Sequence, residues 1–351
     1  MDYNTLTQKI LSIAPEFGFL EANIAQITID QTCQSNFLLW LEQGFNGEMG
    51  YLNRNTDLRF NPSKLCPWTL SIICVKAPYL TKAIDYHQSR TNMAELANIS
   101  CYALGRDYHK VVKQQLKKYA QHINQLLIEY KLEYRCFTDS APILEVELAT
   151  SAGLGWRGKN TLLLNKNEGS LFFLGELFTN LPLVPGVKTT NHCGSCTKCL
   201  TMCPTNAFTA PYVLNANRCI SYLTIENKGS IPLEYRKAIG NRIYGCDECQ
   251  LVCPWNKFAK LTTLVDFNIR HNLDQLSLID AFNLEESIWE KMMQGSPILR
   301  IGYEAWLRNV AVALGNAPTT QEIIKTLTSR LNYPSALVQE HVKWALTQHV
   351  Y

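Results

Sequence analysis

The chain has 351 residues, 46% of them hydrophobic and 18% charged, a balance that supports folded domains with a sizeable core and excludes a disordered or fibrous chain. Its 33 Lys and Arg against 30 Asp and Glu leave a formal charge of only +3, so a nucleic-acid partner would have to be met by a local basic surface. No apolar run is long enough to span a membrane, and the opening MDYNTLTQKILSIAPEFGF lacks a basic segment followed by an apolar one; a cytoplasmic protein without membrane contact is expected.

In chain order, residues 1–190 read as mixed α/β structure. LSIICVKAPY (Leu70 to Tyr79) is a compact apolar run ending beside proline, which predicts a buried strand. Val112, Leu116, Tyr119, Ile123, Leu126 and Tyr130 recur at three- and four-residue steps, the stripe of an amphipathic helix. Its opposite face carries Lys110, Lys113, Lys117 and Lys118, read as a solvated surface. A short strand is expected to end at Asp139, followed by a turn and a helix beginning near Pro142. Asp139 suits a helix cap or turn equally well as a partly desolvated general acid, and the motif alone favours the cap.

The glycine-rich SAGLGWRGKN (Ser151 to Asn160) matches neither a P-loop nor G-x-G-x-x-G. Its glycines beside Arg157 and Lys159 would let backbone approach an anionic or bulky ligand. TLLLN and LFFLGELFT, joined by a KNEG turn, are expected to form a hairpin.

Thirteen cysteines in a reducing compartment point to metal or redox chemistry rather than disulfides. Cys193, Cys196, Cys199 and Cys203-Pro204 stand at C-x2-C-x2-C-x3-C-P, the bacterial ferredoxin spacing for 4Fe–4S clusters. Three thiolates on one tight loop can grip one cubane, while the fourth points away to a second. Cys246, Cys249 and Cys253-Pro254 repeat the pattern without its leading cysteine, and Cys219 in NANRCISYL is the natural replacement. A crossed scheme then fills two clusters: Cys193, Cys196, Cys199 and Cys253 hold one, and Cys203, Cys219, Cys246 and Cys249 the other. The alternative, a structural zinc site with spare core thiols, does not account for both prolines and both x3 steps. Cys33, Cys66, Cys74 and Cys136 read as small apolar fillers. Cys101, beside GRDYH, stays open as a site residue.

From about Leu276 the chain turns helical. Three segments separated by APT and YP resemble a stub of HEAT-type solenoid that should pack on the cysteine module. Arg300, Arg308, Arg330 and Lys343 could face nucleic-acid phosphates or simply be solvated. The clusters imply single-electron transfer, and the large domain ahead of them implies an enzyme with a built-in relay; an electron-transfer subunit is the rival reading.

RDYHKVV after Cys101, TDSAPILE at Asp139, AGLGWRGKNTLLL, both cysteine runs with GCDECQLVCPWN, LRNVAVALGN and VQEHVKWAL together resemble the epoxyqueuosine reductase family, over nearly the whole chain. The resemblance implies an α+β architecture with a cobalamin-binding α/β domain at 1–190, a ferredoxin-like two-cluster domain at 191–260 and a HEAT-like helical region at 276–351. It implies reduction of epoxyqueuosine to queuosine at the wobble position of tRNA, with tRNA and an external electron donor as partners and a monomeric enzyme. Asp139 would be the proton donor. Cys101, Arg157, Lys159, Asn160, Cys246 and Asp247 would lie toward the cobalamin. Asp85-Tyr86-His87 and Asp107-Tyr108-His109 begin D-x-H-x-x-G but lack its glycine, so no cobalt-ligating histidine is expected from them. A corrinoid reductive dehalogenase is the chemical rival; such enzymes usually carry a twin-arginine signal.

Overall fold

A computed structural model describes residues 2–127 and 130–349. Its strands are β1 Glu21–Ala25, β2 Ser71–Pro78, β3 Asn98–Ile99, β4 Tyr134–Phe137, β5 Trp156–Arg157, β6 Leu163–Leu164, β7 Phe172–Thr179, β8 Phe208–Ala210, β9 Val213–Leu214 and β10 Arg242–Tyr244. Helices surround them, so the chain mixes α and β structure as expected. Among the described residues no helix is long and apolar enough to cross a membrane.

The central sheet has the order β1-β2-β7-β4, antiparallel throughout. Period-two alternation in β2 sends Ile73, Val75 and Ala77 to one face and Ile72 and Cys74 to the other. The first face packs under the long helix Tyr108–Gln125, which buries Val112, Leu116, Tyr119 and Ile123 as its stripe requires. The helix ends at Gln125, before Leu126 and Tyr130 of the expected stripe, and positions 128 and 129 lie outside the described residues. The second face is covered by the helix Glu145–Ser151 through Leu148 and Ala149. Covered on both sides, β2 is buried along its whole length, which explains why it reads as an unbroken apolar run. Cys74 and Cys136 sit in this core and Cys66 beside it, while Cys33 is half-buried.

The expected hairpin does not form. β6 pairs instead with β5, and β7 crosses away to lie between β2 and β4. Only the Asn165–Gly169 bridge marks the KNEG turn. Both segments are apolar enough for any pairing, and the buried surface on β2 and β4 decided the partner of β7. The helix after Asp139 also begins later than expected, at Glu145.

The three parts of the chain share packing. β3 pairs in parallel with β10, joining the first part to the cysteine module. One apolar core runs from Leu6 and Ile24 to Trp306, Val310 and Val342. Two short helices, Leu278–Asn283 and Glu286–Met293, precede the three read from sequence, Tyr303–Asn316, Gln321–Thr328 and Ala336–Thr347. Tyr303–Asn316 is buried on nearly all sides because it lies between β10 and the last helix. Arg308 is therefore not a surface cation. It is fully buried and donates to the carbonyls of Leu223, Asn227 and Gly229.

Candidate functional site

The cysteine runs fold as short loops capped by single helical turns, Lys198–Thr201 and Glu248–Leu251. Burial raises the Cys199 thiol to about 11, with Cys253, Cys193 and Cys196 adding to it as neighbouring sulfurs. Cys253 is likewise raised by burial and by Cys193 and Cys196. Burial raises Cys249 well above the usual thiol range, with Cys246, Cys219 and Cys203 beside it. Cys246 neighbours Cys219, which neighbours Cys203. The structure thus brings the sulfurs of both runs and Cys219 into one neighbourhood, in which Cys199 also neighbours Cys249.

Among the described residues no three His, Cys, Asp or Glu side chains converge on a point that one ion could occupy. Thiols that are neighbours without converging suit a cage in which each sulfur takes its own iron. The donor chemistry and grouping therefore fit two iron–sulfur clusters. Backbone and ring N–H groups already point at the sulfurs: Trp156 Nε1 donates to Cys193 Sγ at 3.4 Å, and the Ala207 amide to Cys203 Sγ at 3.3 Å.

Arg157, Lys159 and Asn160, expected to face a corrin, are engaged elsewhere. Lys159 Nζ donates to the carbonyls of Gly194 (2.7 Å) and Cys196 (2.9 Å). Asn160 Nδ2 donates to the Cys249 carbonyl at 3.3 Å, and Arg157 lies 3.8 Å from Glu147. Lys159 and Asn160 fasten the thiol loops to the first part of the chain, whereas Arg157 stays within that part. Cys101 is buried, and its amide donates to Asp247 Oδ2 at 2.8 Å, with Ser100 Oγ on the other oxygen. Asp247, next to Cys246, thereby ties the second thiol set to the loop that leads into the long helix.

Asp139 follows the end of β4 with φ +55°. Its carboxylate accepts from Tyr108 Oη and from His109 Nε2 at 3.1 Å. The other ring nitrogen of His109 lies 2.7 Å from Asp107, the residue that caps the long helix. Arg300 Nη1 stands 3.4 Å from His109 Nε2. Tyr108 is held flat between His109 and Phe173, with ring centroids at 4.1 and 4.2 Å. Tyr102 sits 5.9 Å from Tyr108 and 6.2 Å from Tyr244, so aromatic rings link Asp139 to β10, two residues before Cys246.

The electrostatics correct one expectation. Burial pushes the Asp139 carboxyl up, but the hydrogen bonds from His109 and Tyr108 and the charges of His109 and Arg300 win and hold it below the usual carboxylate range. Burial would lower His109, yet Asp107 and Asp139 raise it to about 9. At neutral pH the proton therefore sits on His109 rather than on Asp139. The Asp139 side chain is 54% exposed, open to a ligand with a charged donor beside it. Sequence reasoning missed Tyr108, His109, Glu145 and Glu176 as parts of this centre. The RDYH segment was the available signal, since its aspartate caps the helix that carries the next two residues. Of the four basic residues noted in the last third, Arg300 lines the centre, Lys343 is exposed, Arg308 is buried, and Arg330 packs among Phe282, Tyr303 and Tyr333.

Residues 192–256 match the family model described as 4Fe-4S double cluster binding domain, and residues 59–140 that of Epoxyqueuosine reductase QueG, DUF1730. The chain is 46% identical to the epoxyqueuosine reductase of Pseudomonas aeruginosa, covering 98% of this chain and 94% of that one. It is 45% identical to the Escherichia coli K12 epoxyqueuosine reductase, over 100% of this chain and 91% of the relative. Among solved structures, an epoxyqueuosine reductase crystallised with an epoxyqueuosine-modified tRNA-Tyr stem loop superposes with a TM-score of 0.87 at 26% identity, covering 98% of this chain and 90% of that one. The Bacillus subtilis epoxyqueuosine reductase, in a form whose catalytic aspartate loop is swung out of the active site, gives 0.87 at 27% identity, covering 99% and 91%.

Proposed function

The chain belongs to the epoxyqueuosine reductase family, and from that premise we propose how its own residues carry the family's reaction. It reduces epoxyqueuosine to queuosine at the wobble position of tRNA. Two electrons and two protons convert the epoxide-bearing cyclopentane to the cyclopentene and release its oxygen as water.

Cys193, Cys196, Cys199 and Cys253 would hold one 4Fe–4S cluster, and Cys203, Cys219, Cys246 and Cys249 the other. Cobalamin would sit at the open Asp139 centre, on the side where Cys101 and Asp247 join the second thiol set, with Lys159 and Asn160 held on the thiol-loop carbonyls and Arg157 beside Glu147. When bound, the clusters and the cobalamin supply single electrons and a strongly reducing cobalt centre. An external donor would refill the clusters. The protein's part is to position the base and to move protons. The His109 proton passes from Nε2 to Asp139 Oδ2 and on to the epoxide oxygen as its bond to carbon breaks, and a second proton, taken from solvent through the same exposed carboxyl, completes the water. Arg300 keeps a positive charge beside the carboxylate that has given its proton up. The single observation that carries this reading is the half-exposed Asp139 bonded to both Tyr108 and His109, backed through Tyr102 and Tyr244 by the cysteine module.

Residues 1–190 form the cobalamin-binding part on this proposal, 191–260 the two-cluster part, and 276–351 a HEAT-like region that meets tRNA, with the exposed Lys343 as a phosphate contact. The protein works as a cytoplasmic monomer. The test is anaerobic: load the protein with iron, sulfide and cobalamin, reduce it, and supply a stem loop carrying epoxyqueuosine or a haloorganic compound. Conversion of the stem loop alone, falling about 10²- to 10⁴-fold in Asp139→Asn, is the expected result. Failure to retain a corrin together with no conversion would overturn the reading.

A further inference from the structure

Behind Asp139 lies a pair of carboxyl groups that the reaction above does not use. Glu145 opens the helix Glu145–Ser151, and its Oε1 accepts the main-chain N–H of Asp139. Glu176 lies midway along β7, opposite Cys74 of β2 and Phe137 of β4. It is 0% exposed, on a sheet face whose other side chains are Ile72, Cys74, Phe137, Ile143 and Leu148. Neither Glu176 oxygen has a donor from another residue's N–H or O–H among those described. The group that acts on it most strongly is the Glu145 carboxyl, which faces it from the start of the helix.

The groups facing this pair are few. Asp139 acts on both carboxyls from the β4 end, His109 acts on Glu145 from the long helix, and the Cys74 thiol faces them from β2. Among the described residues no Lys, Arg or His makes an ion pair with either one. Two buried carboxyls that face each other with no ion-paired cation resist ionising together, so one proton stays with the pair. Burial and then the Glu145 charge push Glu176 well above the carboxylate range, whereas burial and the Asp139 charge bring Glu145 only to about 7. The shared proton therefore belongs to Glu176. Glu145 stays an acceptor, which is what the Asp139 amide requires. Asp139 has φ +55°, a left-handed conformation that aspartate adopts more readily than most residues, and the Glu145 acceptor holds its main chain there.

We propose that Glu176 is a positioning residue for Asp139: its carboxyl donates to Glu145, and Glu145 in turn fixes the Asp139 main chain so that the side chain meets Tyr108 and His109. Glu176 touches no substrate and acts only through Glu145. The proposal rests on the reading of Asp139 as the proton donor.

The test compares the loaded full-length protein with E176Q and E176L. Infrared spectroscopy of the wild type at neutral pH should carry the carbonyl stretch of a protonated carboxylic acid, absent from both variants. E176L should lower kcat by about tenfold or more with KM unchanged, because the reacting carboxyl is displaced. E176Q keeps a donor in the same place and should restore kcat to within about threefold of wild type. A carboxyl raised in the folded state makes stability fall as pH rises. The melting temperature of E176Q relative to wild type should therefore climb as pH rises above the ordinary glutamate value of 4.5. No carboxylic-acid band, an E176L kcat equal to wild type, or a melting difference flat with pH would each overturn the proposal. If E176L does not fold, the band and the E176Q comparison decide it alone. If the wild type fails to reduce the stem loop, the reaction assigned to Asp139 fails, while the band and the melting difference still judge the Glu176–Glu145 pair.

Discussion

A carboxylate beside a histidine divides one proton between them, and which holds it depends on what else touches the pair. His109 has carboxylates on both ring nitrogens, Asp107 at 2.7 Å and Asp139 at 3.1 Å, so the imidazolium is favoured and its pKa rises to about 9. A raised histidine contributes stability that is complete below its unfolded value of 6.5 and lost as pH climbs through about 9. Turnover should follow the same limb, flat at neutral pH and falling above about 9 as the proton source empties. His109→Gln should abolish that limb and cut kcat by roughly 10²-fold, measured as the pH profile of stem-loop reduction. A profile unchanged in the variant would remove His109 from the proton path. From the sequence Asp139 was visible as a polar residue at a strand end, but its protonation state was not. That state depends on His109, which is 30 positions away in the chain and meets it only because the long helix packs under β4 and β7.

At the scale of elements, the strongest patterns were the most legible. The β2 run and the stripe on Tyr108–Gln125 each carry their own burial pattern, so sequence placed them well. The β6 and β7 segments carried only apolar character, which fixes that a strand is buried but not which strand pairs with it. Arg308 shows the converse. On a helical wheel it is one more cation, yet the helix bearing it is covered on all sides, and its guanidinium ties Leu223, Asn227 and Gly229 to the last third of the chain. Burial lowers it to about 10, still charged at neutral pH. Arg308→Met would leave those carbonyls without donors, and the protein should lose about 3 kcal/mol of stability. Denaturant titration should show a lower midpoint with the slope kept. Gly315 marks the tightest helix contact here. A Cβ added there would stand 2.7 Å from the Trp344 ring and 2.9 Å from Ala345 Cα, which is why a glycine stands at this helix position.

At the scale of the whole molecule, the cysteine module is wedged between the sheet domain and the terminal helices, joined to one by the β3–β10 pairing and to the other by Arg308. Its sulfurs group across the two runs rather than within each, with Cys253 beside Cys193 and Cys196, and Cys203 beside Cys219. Replacing Cys253 or Cys193 with serine should therefore erase the same paramagnetic signal in the reduced protein, and replacing Cys203 or Cys219 the other. Each substitution should lower bound iron from about eight to about four per chain. Loss of one signal from Cys253→Ser and of the other from Cys193→Ser would break the crossed grouping. The sequence by itself determined the chemistry of this module, because thiol spacing on a short loop is a local property that needs no fold to be read. It also determined the buried strand and the amphipathic helix, whose periodicities are written residue by residue. Only the tertiary structure decided what Asp139 touches, that Glu176 is buried on the sheet face behind it, and that Lys159 and Asn160 hold the thiol loops. Those are meetings of distant segments, set by how two sheet faces and a buried helix close around one core, and a linear pattern carries no record of them.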